Sequence, residues 1–157
     1  MIRLQKILFP TDFSDFSAYA ASFAVSFAVD YKAKLYVLHV MEFPLGMPEL
    51  YTVSASDEQI AERADHLARA ELKAASTEEM FERLDFEISC RQGKPFLEII
   101  DFAKEKEMDL IIMGTRGRGG LESVLLGSTA EKVLRKSTVP VFVVRRPGHR
   151  IVIPPVG

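Results

Sequence analysis

The sequence predicts an open α/β domain built on a parallel sheet, and three observations carry that expectation. Short apolar runs alternate with stretches of helical periodicity along the whole chain, which is the pattern of repeated βαβ units. The run Leu110-Ile-Ile-Met113 is apolar at every position, as a strand covered on both faces must be. The run Leu84 to Arg91 instead alternates, with Leu84, Phe86, Ile88 and Cys90 on one face and Asp85, Glu87, Ser89 and Arg91 on the other. A strand buried on one face only belongs near a sheet edge.

The elements follow in order. A first strand covers roughly Lys6 to Phe9. The first helix has a candidate cap at Ser14 and carries Phe16, Ala20, Phe23, Ala24, Phe27, Ala28 and Tyr31 at the spacing of one amphipathic face. Leu35 to Met41 reads as the second strand. A loop from Glu42 to about Ala55 follows, with Pro44, Gly46 and Pro48. The second helix opens on Ser56-Asp-Glu-Gln59, a capping-box pattern, and turns Ile60, Ala64, Leu67, Ala68, Leu72 and Ala75 inward. After the alternating third strand, Pro95 has the backbone angle that a helix start accepts. Phe96, Ile99, Ile100 and Ala103 then recur at helical spacing. A fourth helix is expected around Ala130, Val133 and Leu134, and Val139-Pro-Val-Phe-Val-Val144 makes a fifth strand. Residues 1–146 form one domain in this reading. Residues 147–157, rich in proline and glycine, form an appended tail.

Composition narrows the function classes. With 157 residues, 48% hydrophobic and 27% charged, the chain has the core-forming content of an ordinary globular protein. A net charge of −2 gives no basic footprint for nucleic acid, although Arg116 and Arg118 form a local pair. Cys90 is the only cysteine, so an intrachain disulfide and a multi-cysteine metal site are excluded, and a reducing compartment fits. The start, Met-Ile-Arg-Leu-Gln-Lys, has no apolar signal-peptide region. No apolar run approaches the ~20 residues of a membrane span. The expectation is a cytoplasmic protein with no membrane or nucleic-acid partner.

The most informative stretch is Gly114-Thr-Arg-Gly117-Arg-Gly-Gly-Leu-Glu-Ser-Val-Leu-Leu-Gly127-Ser128-Thr129. It links an apolar strand to a helix start. Glycine lets backbone approach an anion with no Cβ in the way. A helix start adds unpaired N–H groups and the positive end of the helix dipole. Ser128 and Thr129 can cap that helix or give their hydroxyls to a phosphate. In an open α/β sheet, ligands bind beyond the carboxyl ends of the strands where the strand order reverses. The turn Pro10-Thr11-Asp12 should therefore lie beside the glycine loop. Asp12 fits either a turn or cap residue ahead of the first helix, an acceptor for ribose hydroxyls, or a ligand for a hard cation on phosphates.

With these residues in view, the chain resembles the universal stress protein family. Gly114, Gly117, Gly127 and Ser128 match its G-x2-G-x9-G-[ST] signature, which marks the ATP-binding branch. Ile7-Leu-Phe-Pro-Thr-Asp-Phe-Ser14, Leu38-His-Val40 and Val139-Pro-Val-Phe-Val-Val144 also match, so the resemblance covers roughly residues 1–146. It implies a Rossmann-like sheet of five parallel strands in the order 3-2-1-4-5, with helices on both faces. It implies that Asp12 contacts ribose, that Pro10 and Thr11 line the adenosine side, and that the Val40 backbone addresses adenine. Met113 and Gly114 would flank the sugar, while Gly117, Gly127, Ser128 and Thr129 would hold the triphosphate with Mg²⁺ or Mn²⁺ among its oxygens. It also implies a homodimer through the last strand. The β-branched Val141-Phe-Val-Val144 agrees, since an unpaired edge of that kind invites pairing.

Other chemistries lack their residues. No G-x4-G-K-[ST] phosphate loop is present, because Lys94 after Gly93 precedes Pro95 without the rest of the pattern. Neither G-x-G-x-x-G nor G-x-S-x-G occurs. His39, His66 and His149 are scattered and form no H-E-x-x-H; His39, in a strand, reads as structural. Cys90 reads as core packing. ATP hydrolysis needs an oriented water and charge stabilisation in the transition state. Arg116 and Arg118 could supply the charge, but no water-orienting residue is evident. The reading is a regulatory ATP-binding protein of the stress response, with no catalytic residues and at most slow hydrolysis. Its alternatives are a slow ATPase acting as a conformational switch, and a dimeric scaffold with structural ATP. The loop residues Leu45, Met47, Leu50 and Tyr51 suit either a lid or packing over the second helix.

Overall fold

The computed structural model describes residues 1–42, 57–116 and 126–147. Its strands are β1 (Lys6–Pro10), β2 (Lys34–Met41), β3 (Phe86–Gln92), β4 (Leu110–Gly114) and β5 (Val141–Val144). Its helices are α1 (Asp15–Tyr31), α2 (Asp57–Ala74), α3 (Glu78–Arg83), α4 (Pro95–Glu105) and α5 (Ser128–Lys136). The five strands form one parallel sheet in the order β3-β2-β1-β4-β5, so all carboxyl ends share one edge. Strand order reverses at β1, whose neighbours are β2, through Ile7↔Leu35 and Pro10↔Leu38, and β4, through Ile7↔Leu110.

Two apolar layers flank the sheet. One joins Ile7, Phe9, Leu35, Val37, Leu110 and Ile112 to α1 and α2. The other joins Leu8, Leu38, Ile111 and Met113 to α4 and α5. Alternate residues of the same strands feed opposite layers, as the two-residue repeat of a strand requires. Every residue of β4 is buried, as its unbroken apolar run predicts. β3 lies at the edge as expected, but the expected one-sided burial does not hold. Its residues Phe86 to Arg91 are all half-buried, because Lys34 pairs with Glu87 at 3.0 Å and Arg91 stacks over Phe102 at 4.7 Å. Charged side chains thus cover the polar face with their stems.

Several expectations need correction. α1 buries Ser17, Ala20, Ala21, Ala24, Val25, Ala28 and Val29, a stripe rotated from the one containing its aromatic residues. Small side chains let the helix lie close to the sheet. Phe23 and Phe27 sit on the flank and reach Phe142 of β5, at 6.1 and 5.4 Å between ring centres, while Tyr31 is exposed. Leu67, expected inside, is 38% exposed, and Leu134 of the expected fourth helix is 43% exposed. The core takes Ala64, Ala68 and Leu72 from α2 and Ala130 and Val133 from α5. Phe102 of α4, absent from the expected core, is fully buried.

The short helix α3 is an addition to the expected elements. Its start is written in Thr77, whose hydroxyl accepts from the Met80 N–H at 3.2 Å, a side-chain N-cap. Leu84 consequently ends a helix, and the third strand begins two residues later. Pro95 opens α4 as expected. The 43–56 loop with its Ser56 cap, and the residues of the tail from 148 onward, lie outside the described residues.

Candidate functional site

The carboxyl edge of the sheet gathers the ends of β1, β2 and β4 and the starts of α1 and α5. Pro10 ends β1. Thr11 follows, 5% exposed, and its N–H donates to the Leu38 carbonyl at 2.9 Å, which extends the β1–β2 ladder past the strand. Asp12 then turns the chain. Its Oδ1 accepts from the Ser14 N–H at 3.0 Å and from the Ser17 hydroxyl at 2.8 Å. The Ser14 hydroxyl accepts from the Ser17 N–H at 3.3 Å, which caps α1 as expected. Asp12 therefore fills the turn-and-cap role that was one of its alternatives. That role occupies Oδ1 and aligns the carboxylate at the strand end.

Phe13 pays the local cost of this turn: its φ is +62°, in the left-handed region that bulky residues avoid. Two contacts hold it there. Its N–H donates to the Thr11 hydroxyl at 3.0 Å, and its ring packs on His39 at 4.6 Å. His39 Nδ1 lies 2.9 Å from the Thr11 carbonyl oxygen. A carbonyl only accepts, so Nδ1 carries the hydrogen. His39 serves the turn structurally, in line with the sequence reading.

The second turn is built differently. At Gly114 a Cβ would fall 2.9 Å from the Phe16 carbonyl oxygen, closer than a side chain tolerates. Glycine here lets β4 end directly against the first turn of α1. Beyond it, Thr115 N–H donates to the Val144 carbonyl at 3.2 Å, and the Thr115 carbonyl accepts from the Gly127 N–H at 2.6 Å. The segment that leaves after Thr115 thus returns to it. The Arg116 guanidinium, 7% exposed overall, lies 5.8 Å from the Phe16 ring, a cation–π arrangement.

α5 starts at Ser128 with Gly127 as its N-cap and no side-chain cap hydrogen bond. Ser128 and Thr129 therefore do not cap the helix; they occupy its first turn. Gly127, Ser128 and Thr129 stand at the positive end of the helix dipole. Val40, near the end of β2, is half-buried, and Met113 is buried at the penultimate position of β4. Pro10, Thr11, Asp12, Val40, Met113, Gly114, Gly127, Ser128 and Thr129 all lie at this edge. The shared anchor is the Phe16 turn, touched by both Gly114 and Arg116. Gly117 and Arg118 lie outside the described residues.

The residue that sequence reasoning missed is Glu71 on α2. Its Oε1 accepts from the Thr11 hydroxyl at 2.7 Å. Burial, opposed by that hydrogen bond and reinforced by repulsion from Asp12, pushes its carboxyl up to about 7. The available signal was spacing: Glu71 follows Ala68 by three residues, so an acid lies on the stripe that otherwise turns apolar side chains inward. Among the described residues no group of three or more His, Cys, Asp or Glu side chains could hold a metal ion. No described helix is long and apolar enough to cross a membrane.

The strand order agrees with what known proteins show. The universal stress protein family model matches residues 3–145. The chain belongs to this family. A universal stress protein of Methanocaldococcus jannaschii is 37% identical over 145 residues, covering 91% of this chain and 83% of the relative. The solved universal stress protein UspA from Lactobacillus plantarum superposes with a TM-score of 0.75 at 29% identity, covering 91% of this chain and 99% of the other. Another solved family member, described as a complex with cAMP, gives a TM-score of 0.65 at 26% identity, covering 91% and 98%.

Proposed function

We propose that this family member is an ATP-binding regulatory protein of the stress response. The carrying observation is the bare start of α5, which has no side-chain cap and sits where Gly127 closes back onto Thr115. Amide groups not spent on a side chain are suited to phosphate oxygens. The relative solved with cAMP supports an adenine nucleotide as the ligand class. In this reading the adenosine lies along Pro10, Thr11, Asp12 and the Val40 backbone, with the sugar between Met113 and Gly114. The triphosphate reaches Gly117, Gly127, Ser128 and Thr129. A divalent ion, Mg²⁺ or Mn²⁺, would accompany the triphosphate and neutralise part of its charge.

Uniform binding of ground and transition states gives occupancy without rapid turnover, so hydrolysis is expected to be slow. The direct test is mass spectrometry of ligand that survives purification, followed by calorimetric titration with ATP. Recovery of ATP or ADP supports the reading. Absence of any adenine-nucleotide affinity overturns it. Asp12→Asn retains the Oδ1 acceptor of the turn, so a loss of ATP affinity in that variant would report ligand contact rather than a broken turn.

The β5 edge supports a second copy of the chain as partner. β5 ends the sheet, and Phe142 remains 38% exposed beside Phe23 and Phe27. An apolar edge strand of this kind is suited to pairing. Light scattering should find a dimer, and Phe142→Lys should shift it to monomer. A wild-type monomer at high concentration would exclude this partner.

A further inference from the structure

Glu71 is a half-buried titratable group beside the proposed nucleotide edge that the binding reading does not use. It reaches from α2 across the core layer to the Thr11 hydroxyl, 2.7 Å away. The same hydroxyl accepts from the Phe13 N–H at 3.0 Å. Thr11 is 5% exposed, so these partners are not interchangeable with water. A single side chain on a helix remote in sequence therefore orients the hydroxyl that holds Phe13 in its left-handed conformation. Asp12, between them, is fixed by the same turn through Ser14 and Ser17.

We propose that Glu71 is a positioning residue of the nucleotide-binding turn, and that it takes up a proton from solvent when an adenine nucleotide binds. The proposal rests on the nucleotide reading above. Geometry supplies the positioning half: without an acceptor at Oε1, the Thr11 hydroxyl loses its anchor and the Phe13 turn its support. Electrostatics supplies the proton. Asp12 already repels a charged Glu71, and burial already disfavours its ionised form. A polyphosphate adds negative charge at the same edge, which favours the neutral carboxyl further. Neutral Glu71 still accepts from Thr11 through its carbonyl oxygen, so protonation leaves the turn intact.

The surrounding groups define the controls. Asp12 faces Glu71 from the β1–α1 turn. His39 lies behind Thr11 on β2. On β3, Cys90 alternates with Phe86 and Ile88 toward the same layer, and burial raises its thiol. On α2 itself, Arg69 and Lys73 lie over Phe86 and Phe81. α3 carries an exposed Glu79–Arg83 pair. α1 adds Ser17, which bonds Asp12. The nucleotide's own phosphate also titrates and would act in the opposite direction, so the decisive comparison uses one ligand with two proteins.

The experiment is calorimetric titration of the full chain with Mg·ATP across pH, in buffers of differing protonation heat. For wild type, affinity should rise about tenfold from about pH 8 to about pH 6, with proton uptake on binding. Glu71→Gln, which keeps the acceptor and removes the titration, should bind with a flatter profile and less proton uptake. Glu71→Ala should lose affinity at both ends of the range, and the Gln variant should restore it. Parallel pH profiles and equal proton uptake in wild type and Glu71→Gln would overturn the proposal while leaving the nucleotide reading standing. A wild type that binds no nucleotide overturns both. Should the variants fail to fold, carbon NMR of the Glu71 carboxyl in wild type decides: its titration midpoint rises on adding ADP, and an unmoved midpoint overturns the proposal.

Discussion

Two helices begin at the same edge of the sheet and begin in opposite ways. α1 opens on a turn closed by its own side chains: the Ser14 hydroxyl takes the Ser17 N–H, and Asp12 takes the Ser14 N–H and the Ser17 hydroxyl. α5 opens on Gly127, with no side-chain cap. Both starts carry the positive end of a helix dipole, but among the described residues only the first is closed by a side-chain cap. In the proposed reading the anion is expected at α5, where glycine backbone precedes the helix, and the α1 turn holds a shape. The difference teaches that two starts with the same dipole can leave different groups available to a ligand.

The comparison can be broken most strongly at Gly127. Its φ of −66° and ψ of 160° are open to any residue, so Gly127→Val should leave the fold intact and act only through bulk. Losing two charge-assisted amide contacts, at roughly 1.5–3 kcal/mol each, should lower ATP affinity on the order of a hundredfold or more. Calorimetry on the folded variant measures this. Unchanged affinity would show that the α5 start is not the phosphate cradle.

Gly114 tests the join between the two turns. A Cβ placed 2.9 Å from the Phe16 carbonyl oxygen meets backbone that cannot swing aside. Gly114→Ala should cost about 2 kcal/mol, in the range of an overpacked core, and thermal denaturation reads the loss. A variant as stable as wild type would mean that β4 and α1 separate without penalty.

Glu71 gives a pH-dependent effect of comparable size. Its carboxyl, pushed up to about 7 in the folded chain from an ordinary 4.5, holds a proton there that the unfolded chain has already released. Between those values the folded state binds more protons, so stability falls as pH rises through the window. The contribution is full below about 4.5 and lost above about 7. Glu71→Gln should therefore gain on the order of 2 kcal/mol relative to wild type at alkaline pH and little at acid pH. Denaturant melts at both pH values check the sign. Equal effects at both would assign the change to packing alone.

The smallest effect is expected at the closed turn. Ser14→Ala removes the α1 cap and should cost about 1 kcal/mol of stability. ATP affinity should be unchanged within a factor of about two, because that side chain faces its own helix. A loss of affinity without a loss of stability would move the α1 start into the binding site.

Local pattern and tertiary packing divide the explanation of this protein between them. Leu110 to Met113 announced an interior strand, because a segment covered on both faces cannot spare a polar side chain. Ser14 and Pro95 announced helix starts, because capping and backbone angle are decided within a few residues. The glycine spacing from Gly114 to Gly127 and the Pro10-Thr11-Asp12 turn pointed to one sheet edge for the same reason: their chemistry is local. Burial was less legible. Periodicity identified a face on α1 shared by Ala20, Ala24 and Ala28 with Phe23 and Phe27, but not that the alanines take its buried centre and the aromatics its flank. Leu67 was expected inward from helical spacing, and only the arrangement of neighbouring elements left it partly exposed. α3 was hidden by its brevity, although Thr77 carried its cap.

What sequence alone determined is the order of elements and the backbone-dictated turns, since these depend on residues adjacent along the chain. The tertiary structure alone decided that a glutamate on α2 meets the threonine at the end of β1, sixty residues away. It also decided that Gly114 is needed against the Phe16 carbonyl. Both are contacts between segments remote in sequence, and a contact of that kind has no local signature until the sheet brings its strands together.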